Sequence, residues 1–288
     1  MKRKSLYISI SIVIILFFTL FLFSQEEQNV IKYFPLDESR DFIEQSTNLQ
    51  LLTEVDEDRY KVIWRVHSKL DEPAYLRQDV SLLFVDGKLK GLLNKWKEEE
   101  NELEQEGIFT GEGSSHIEAV TFHHGEIHYP DDLIKSVQEM TYDQIYVIDS
   151  PLSPIDSFKR PESTSQKEWK KTLDHAVNQQ LTYYWNRWIT HYNVSKEDYI
   201  QIPLVQLPQY EEKSLPTLSQ NQTHQVIGQL WEGLYKNIVT NFKIAKENNK
   251  PFQTYMPLVL VDKKGSHLLV LYEENGQIQK LIQRIPNF

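Results

Sequence analysis

Hydrophobic and polar positions fall into distinct regimes along the chain. Leu6 to Phe23 is an unbroken uncharged run interrupted only by Ser9, Ser11 and Thr19. As a helix, eighteen residues reach roughly 27 Å, close to the roughly 30 Å hydrocarbon core of a bilayer. Further on, KVIWRVHS (61–68) alternates as a strand, with Val62, Trp64 and Val66 on one face. VSLLFVDGKLKGLL (80–93) predicts a hairpin, because Asp86-Gly87 is a favoured two-residue turn between apolar runs. NKWKEEENELEQEG (94–107) has helix-forming composition and stops at a glycine, and FTGEGSS (109–115) reads as a loop. PDDLIKSVQEM (130–140) carries a helix-start signal with Leu133, Val137 and Met140 on one face, followed by a strand in YDQIYVIDS.

A window rich in proline and serine, 151–164, marks a linker or long loop. Beyond it, residues 165–193 predict a long helix whose stripe is Trp169, Leu173, Ala176, Val177, Leu181, Tyr184, Trp188 and Tyr192. Residues 198–210 alternate like an edge strand, since Pro203 and Pro208 discourage a central position. A second helix covers 222–248, with Ile227, Leu230, Leu234, Ile238 and Ala245 on its apolar face. Three strands close the chain between 255 and 285, joined at Lys263–Gly265 and at Asn275-Gly276.

These elements predict an α+β fold: an N-terminal transmembrane helix, then antiparallel sheets with helices packed on them, and a C-terminal β-meander covered by two long helices. Helix packing on one face is expected because strands and helices are segregated. The expected organisation is an anchor (1–24), a stalk and entry segment (25–58), an α+β subdomain (59–150), the linker (151–164) and a second subdomain (165–288).

Charge changes the picture at the N-terminus. Lys2, Arg3 and Lys4 precede the apolar run and SQEE follows it. The positive-inside rule then keeps the N-terminus cytoplasmic and the rest outside, a single-pass protein bound to the membrane through residues 6–23. A cleavable signal is disfavoured because a cut after Ser24 places bulky Leu22 at the other recognised position. Without the three basic residues, 28 Lys and Arg face 41 Asp and Glu, a net charge of −13. Such a surface has no electrostatic reason to bind nucleic acid. The chain has no cysteine, so no disulfide staples it, which suits a Gram-positive cell surface.

Candidate chemistry concentrates in AVTFHHGEIHY (119–129), three of nine histidines in eleven positions. A turn at His124-Gly125 would put Val120, Phe122, Ile127 and Tyr129 on one face of a hairpin and Thr121, His123, Glu126 and His128 on the other. A solvated polar face accounts for that separation with no chemistry. The same geometry would let His123, Glu126 and His128, with His116 from the preceding loop, hold zinc, or let the face serve a surface hydrolase with His116 or Asp149 assisting. The spacing matches no ligand motif, G-x-S-x-G is absent near Ser114-Ser115-His116, and no cofactor fingerprint occurs. The sequence therefore predicts no catalytic residues and no cofactor. It favours a non-enzymatic binding or regulatory module for an envelope or membrane protein partner, with a small-ligand sensor as a further reading.

Overall fold

The computed structural model describes residues 31–56, 59–151 and 153–286. The apolar run 6–23 lies outside them, and among the described residues no helix is long and apolar enough to cross a membrane. Antiparallel sheets with a few helices make up the described chain, as the α+β expectation required.

The first sheet contains β1 (Phe42–Asp56), β2 (Arg59–Val85), β3 (Lys88–Gly111), β4 (Ser115–His128), β5 (Ile134–Ser150) and β6 (Ser153–Phe158). Its order is β1-β2-β4-β5-β6, with β3 also paired to β2. Strand β2 is long enough to serve two leaves. Its first part pairs with β1 and the end of β3, and its second part with β4 and the start of β3. The register breaks between Lys69 and Ala74, where Pro73 lacks an amide proton, and Glu99 opposite takes a left-handed φ of 51°. Bent there, the leaves close on one core: Leu49, Tyr60, Val62, Trp64 and Val66 against Leu83, Val85, Ile117, Ala119, Ile145 and Val147.

Three expectations fail in this sheet. The predicted helix over 94–107 is part of β3, bonded along its length to β2. Pairing decides against local helix propensity, because it buries Leu103 and leaves the glutamates on the solvent side. The predicted helix over 130–140 is a turn followed by β5. Asp131 and Asp132 both have positive φ (63° and 58°), and Tyr129 donates its amide to Leu133 O at 2.8 Å. Val137 and Met140, expected on one helix face, point to opposite sides of a strand, Val137 against Leu70 and Met140 against Trp231. The histidine hairpin does not form either. Strand β4 runs straight through His124-Gly125, held by ladders to β2 and β5 on both edges. Gly125 serves packing, not turning: a Cβ there would lie 2.9 Å from Val137 and 3.0 Å from Leu70. The stretches expected as stalk and linker also contribute strands, β1 and β6.

Helix α1 (Thr164–His191) starts at a capping box of Ser163 and Gln166 and ends before Asn193, left-handed at φ 52°. Its buried residues are Leu173, Val177, Leu181, Trp188 and Ile189; Ala176 of the predicted stripe is exposed. Strand β7 (Tyr199–Pro203) runs into a 3₁₀ helix, Leu204–Tyr210, so only the first part of the predicted strand 198–210 is extended. Helix α2 (Gln220–Leu234) continues through a wide π-turn, Tyr235–Val239, into α3 (Thr240–Glu247). There the Tyr235 hydroxyl accepts from Gln78 Nε2 at 3.1 Å and Asn94 Nδ2 at 3.0 Å.

The closing meander is β8 (Leu258–Asp262), β9 (His267–Glu274) and β10 (Gln277–Arg284), in the order β10-β9-β8-β7. Asn275 and Gly276 have the paired positive φ of a tight hairpin turn. The two helices cover this sheet, but from opposite faces. Trp188 and Ile189 of α1 pack on Leu258, Leu260, Leu269 and Leu271. Gln283, on the alternate face, donates to Val226 O of α2 at 2.9 Å. Both faces of β8 are buried, so one helix alone could not cover it. Trp231 of α2 stacks on Phe122 of β4 with centroids 5.1 Å apart, and Ile31–Phe288 form one compact unit.

Candidate functional site

Because β4 is straight, its residues alternate between two environments. Even-numbered positions face the helices and odd-numbered ones face the interior between the leaves. His116, Glu118 and, in register, Tyr146 and Gln144 of β5 therefore share the helix-facing side. Helix α1 crosses above them with Lys170, Asp174, Asn178, Leu181 and Trp185, and the 3₁₀ segment closes a third wall with Val205, Gln206 and Gln209. Together they line a cleft of about 390 Å³.

The polar groups of β4, β5 and the first half of α1 that line it are already engaged with one another. The His116 ring stacks on Tyr146 (4.2 Å, 2° between planes), and its Nε2 donates to Gln144 Oε1 at 3.0 Å. His116 Nδ1 lies 3.9 Å from both Glu118 and Asp174. Tyr142 donates to Glu118 Oε1 at 2.9 Å, and Tyr146 donates to Asp174 Oδ1 at 2.8 Å. Lys170 Nζ reaches Asp174 Oδ2 at 2.5 Å and the Tyr146 hydroxyl at 2.7 Å. Burial, with Glu118 alongside, pushes the Tyr142 hydroxyl far above the usual phenol range. Burial and the bond to Asp174 do the same to Tyr146. Both phenols remain donors at neutral pH, and neither is a base.

The odd face of β4 carries a second, buried polar assembly. Ser81, Thr121, Thr47 and Thr141 form a hydroxyl chain with contacts of 2.5–2.6 Å. His123 Nε2 joins it at Thr141 (2.8 Å), and His123 Nδ1 lies 3.0 Å from Asp79 Oδ2. That last contact has ion-pair distance but not hydrogen-bond alignment. Asp79 accepts from Ser68 at 2.5 Å, and Ser68 accepts from Arg77 at 2.6 Å. Arg77, Asp79 and His123 are all fully buried. Burial pushes the Asp79 carboxyl upward, but His123, Arg77 and the Ser68 hydroxyl outweigh it and hold the group below the usual carboxylate range.

The four residues considered for a metal are thus dispersed. His116 lies in the cleft. His123 lies in the buried network on the other face. Glu126 and His128 pair with each other at the far end of β4, where His128 stacks on Tyr75 at 3.8 Å. Ten residues of strand separate His116 from Glu126, about 33 Å. Among the described residues no group of three or more His, Asp or Glu is placed to hold a metal ion. Asp149 accepts the Gly113 amide at 2.9 Å and supports the β3–β4 connection. His124 is buried, and burial, reinforced by Arg77, lowers its ring to about 4, so it stays neutral.

Sequence reasoning passed over Glu118, Tyr142, Gln144, Tyr146, Lys170 and Asp174. Only the polar residues at 116 and 118, alternating with Ile117 and Ala119, signalled that this strand carries polar groups on a covered face. No family model, curated protein or solved structure is detectably similar to the chain.

Proposed function

We propose that the chain is a membrane-anchored extracytoplasmic module that acts by binding and not by catalysis, and that the His116 cleft takes a small polar ligand. The mutual engagement of the cleft's ionisable groups supports this reading. Both tyrosines donate to carboxylates, and Lys170 is held by Asp174 and Tyr146. Covalent or acid–base catalysis needs a nucleophile beside an available base, or a base open to substrate. No serine, threonine or cysteine lines the cleft, and its one histidine, His116, is buried against Tyr146 between Glu118 and Asp174. Its volume falls within the range of small-molecule sites, and the amide side chains of Asn178, Gln206 and Gln209 beside apolar Val177, Leu181 and Val205 suit orientation of a ligand.

The anchor is residues 6–23, and Lys2, Arg3 and Lys4 orient the domain outward. Tethering raises the effective concentration of a partner in the same bilayer, so the output of binding is contact with another envelope or membrane protein.

Crosslinking in intact cells followed by pull-down tests the reading, using the full chain, a variant lacking residues 1–24, and Asn178→Trp, which fills the cleft from an exposed helix position. A specific membrane partner, lost without the anchor and altered in yield by Asn178→Trp, is expected. Turnover of a cell-wall or peptide substrate by the soluble portion, with no partner captured, would overturn it.

A further inference from the structure

A second cavity, of about 440 Å³, has the opposite electrical character to the rest of this acidic chain. It lies where the β2–β3 hairpin meets α3 and the segment before β8. Lys88, Lys90, Lys246 and Lys250 all line it, and no carboxylate does. None of the four forms an ion pair among the described residues, whereas Lys135, Lys159, Lys170 and Lys236 all do. Four ammonium groups around one cavity repel each other, with Asp86 acting on Lys88 beyond ion-pair distance, and an anion placed among them relieves that repulsion.

The rest of the lining mixes the apolar side chains Leu89, Phe242 and Phe252 with Gln253, Thr254 and Tyr255. Phe242 and Phe252 meet edge to face at 5.3 Å, and Lys88 Nζ sits 5.5 Å above the Tyr255 ring. The frame is fixed from both sides. Leu89 donates its amide to Thr254 O at 3.0 Å, and Met256 to Gly87 O at 2.7 Å. On the other flank Gln253 N donates to Asn275 Oδ1 at 3.0 Å and Asn275 N to Gln253 O at 3.0 Å. The rings and the backbone between the lysines are therefore held before any ligand arrives, which lowers the ordering cost of binding.

We infer that this cavity is a binding site for an organic phosphate, with the phosphoryl groups among Lys88, Lys90, Lys246 and Lys250 and the organic portion against Phe242 and Phe252. The lysines supply point charges suited to phosphoryl oxygens, and the volume admits a molecule of nucleoside diphosphate size. A soluble nucleotide and a phospholipid headgroup share this chemistry. The site is separate from the His116 cleft and stands or falls independently of the role given to that cleft.

Isothermal titration of the full chain in a neutral detergent tests it with three probes: ADP, dihexanoyl phosphatidate below its micelle concentration, and inorganic pyrophosphate. Saturable binding of ADP or of the phosphatidate is expected, and the tighter of the two identifies the source. Lys246→Gln/Lys250→Gln, both exposed, should weaken it by about tenfold or more, while Lys167→Gln/Lys171→Gln on α1 leaves it unchanged. Pyrophosphate should bind more weakly than the preferred organic probe. No binding of either organic probe, equal loss in both lysine pairs, or pyrophosphate binding as tightly as the organic probes would each overturn the proposal.

Discussion

Removing the Asp79 carboxylate tests whether the buried network holds the two leaves together. In Asp79→Ala, Arg77 keeps its charge in a site with no solvent contact. Stripping one partner from a buried pair costs about 3–5 kcal/mol, because the remaining charge is left uncompensated. Arg77 retains the Asn101 carbonyl at 2.8 Å, the Ser68 hydroxyl at 2.6 Å and the face of Phe42 at 4.8 Å. These contacts place the loss near the lower end, about 3 kcal/mol. For a unit of this size each kcal/mol lowers Tm by about 2–4 °C, so the shift should be roughly 6–12 °C.

The comparison variant is Arg77→Met/Asp79→Leu, which replaces both charges with apolar side chains. Replacing a buried pair with apolar groups is often neutral or stabilising, so most of the loss should return. pH supplies a third readout. The Asp79 pKa is lower folded than unfolded, so its stabilisation is present above the unfolded value of about 3.9 and is lost as pH falls through the folded value. Asp79→Asn should lack that acid-side loss. Calorimetry across pH, with urea denaturation at neutral pH, measures all three. A single-variant loss below about 1 kcal/mol, or a double variant no better than the single, would refute the reasoning.

Trp188 is fully buried against Leu258, Leu260, Leu269 and Leu271, so Trp188→Ala should cost about 3–5 kcal/mol; an unchanged thermal melt would place this stripe outside the core. Gly125→Ala must displace Val137 and Leu70 and should cost about 1–3 kcal/mol by urea denaturation, whereas a turn glycine with positive φ would respond through backbone strain instead. Burial, with Glu139 adding, raises Glu211 to about 8, and burial, with Asp41 adding, raises Glu139 to about 7. Raised folded values make these carboxyls stabilising below the unfolded value of about 4.3, with the contribution lost as pH climbs towards 8; Glu211→Gln should flatten that decline in a pH series of melts, and an unchanged slope would count against it. Elemental analysis of the purified protein should find no stoichiometric zinc dependent on His123 and His128.

The C-terminal elements were legible because each carried a local signal matching its tertiary role. Leu173, Val177, Leu181 and Trp188, and Ile227, Leu230 and Leu234, recur at helical spacing on the faces that are buried, and Asn275-Gly276 turns a hairpin. The first sheet was harder to read because its strands are long and polar. Glu98, Glu100, Glu102, Glu104 and Glu106 fall on alternate positions of β3, a period of two that helix-forming composition obscured. Pro130-Asp131-Asp132 combines a proline and acidic residues as a helix start does, yet it makes a turn. Local chemistry was the same in both cases, and only strand pairing distinguishes them.

The histidine segment shows the deeper reason. Reading its polar residues as a solvated face assumes that a sheet has one dry side and one wet side. Strand β4 has two covered sides, because the bent β2 folds one leaf over its odd positions while α1, α2 and the 3₁₀ segment cover its even ones. Polar groups can then sit on both faces only if each finds a partner inside the protein. On the odd face the partners come from β1, β2 and β5, and the result is a network closed off from solvent. On the even face they come from β5 and α1, and the crossing helix leaves a gap beside them. His123 and His116 differ not in residue type or strand but in what covers them: a sheet packs to contact along its whole length, and a helix crossing at one end does not. The same alternation that places one histidine in the core of the fold places the other in its best candidate site.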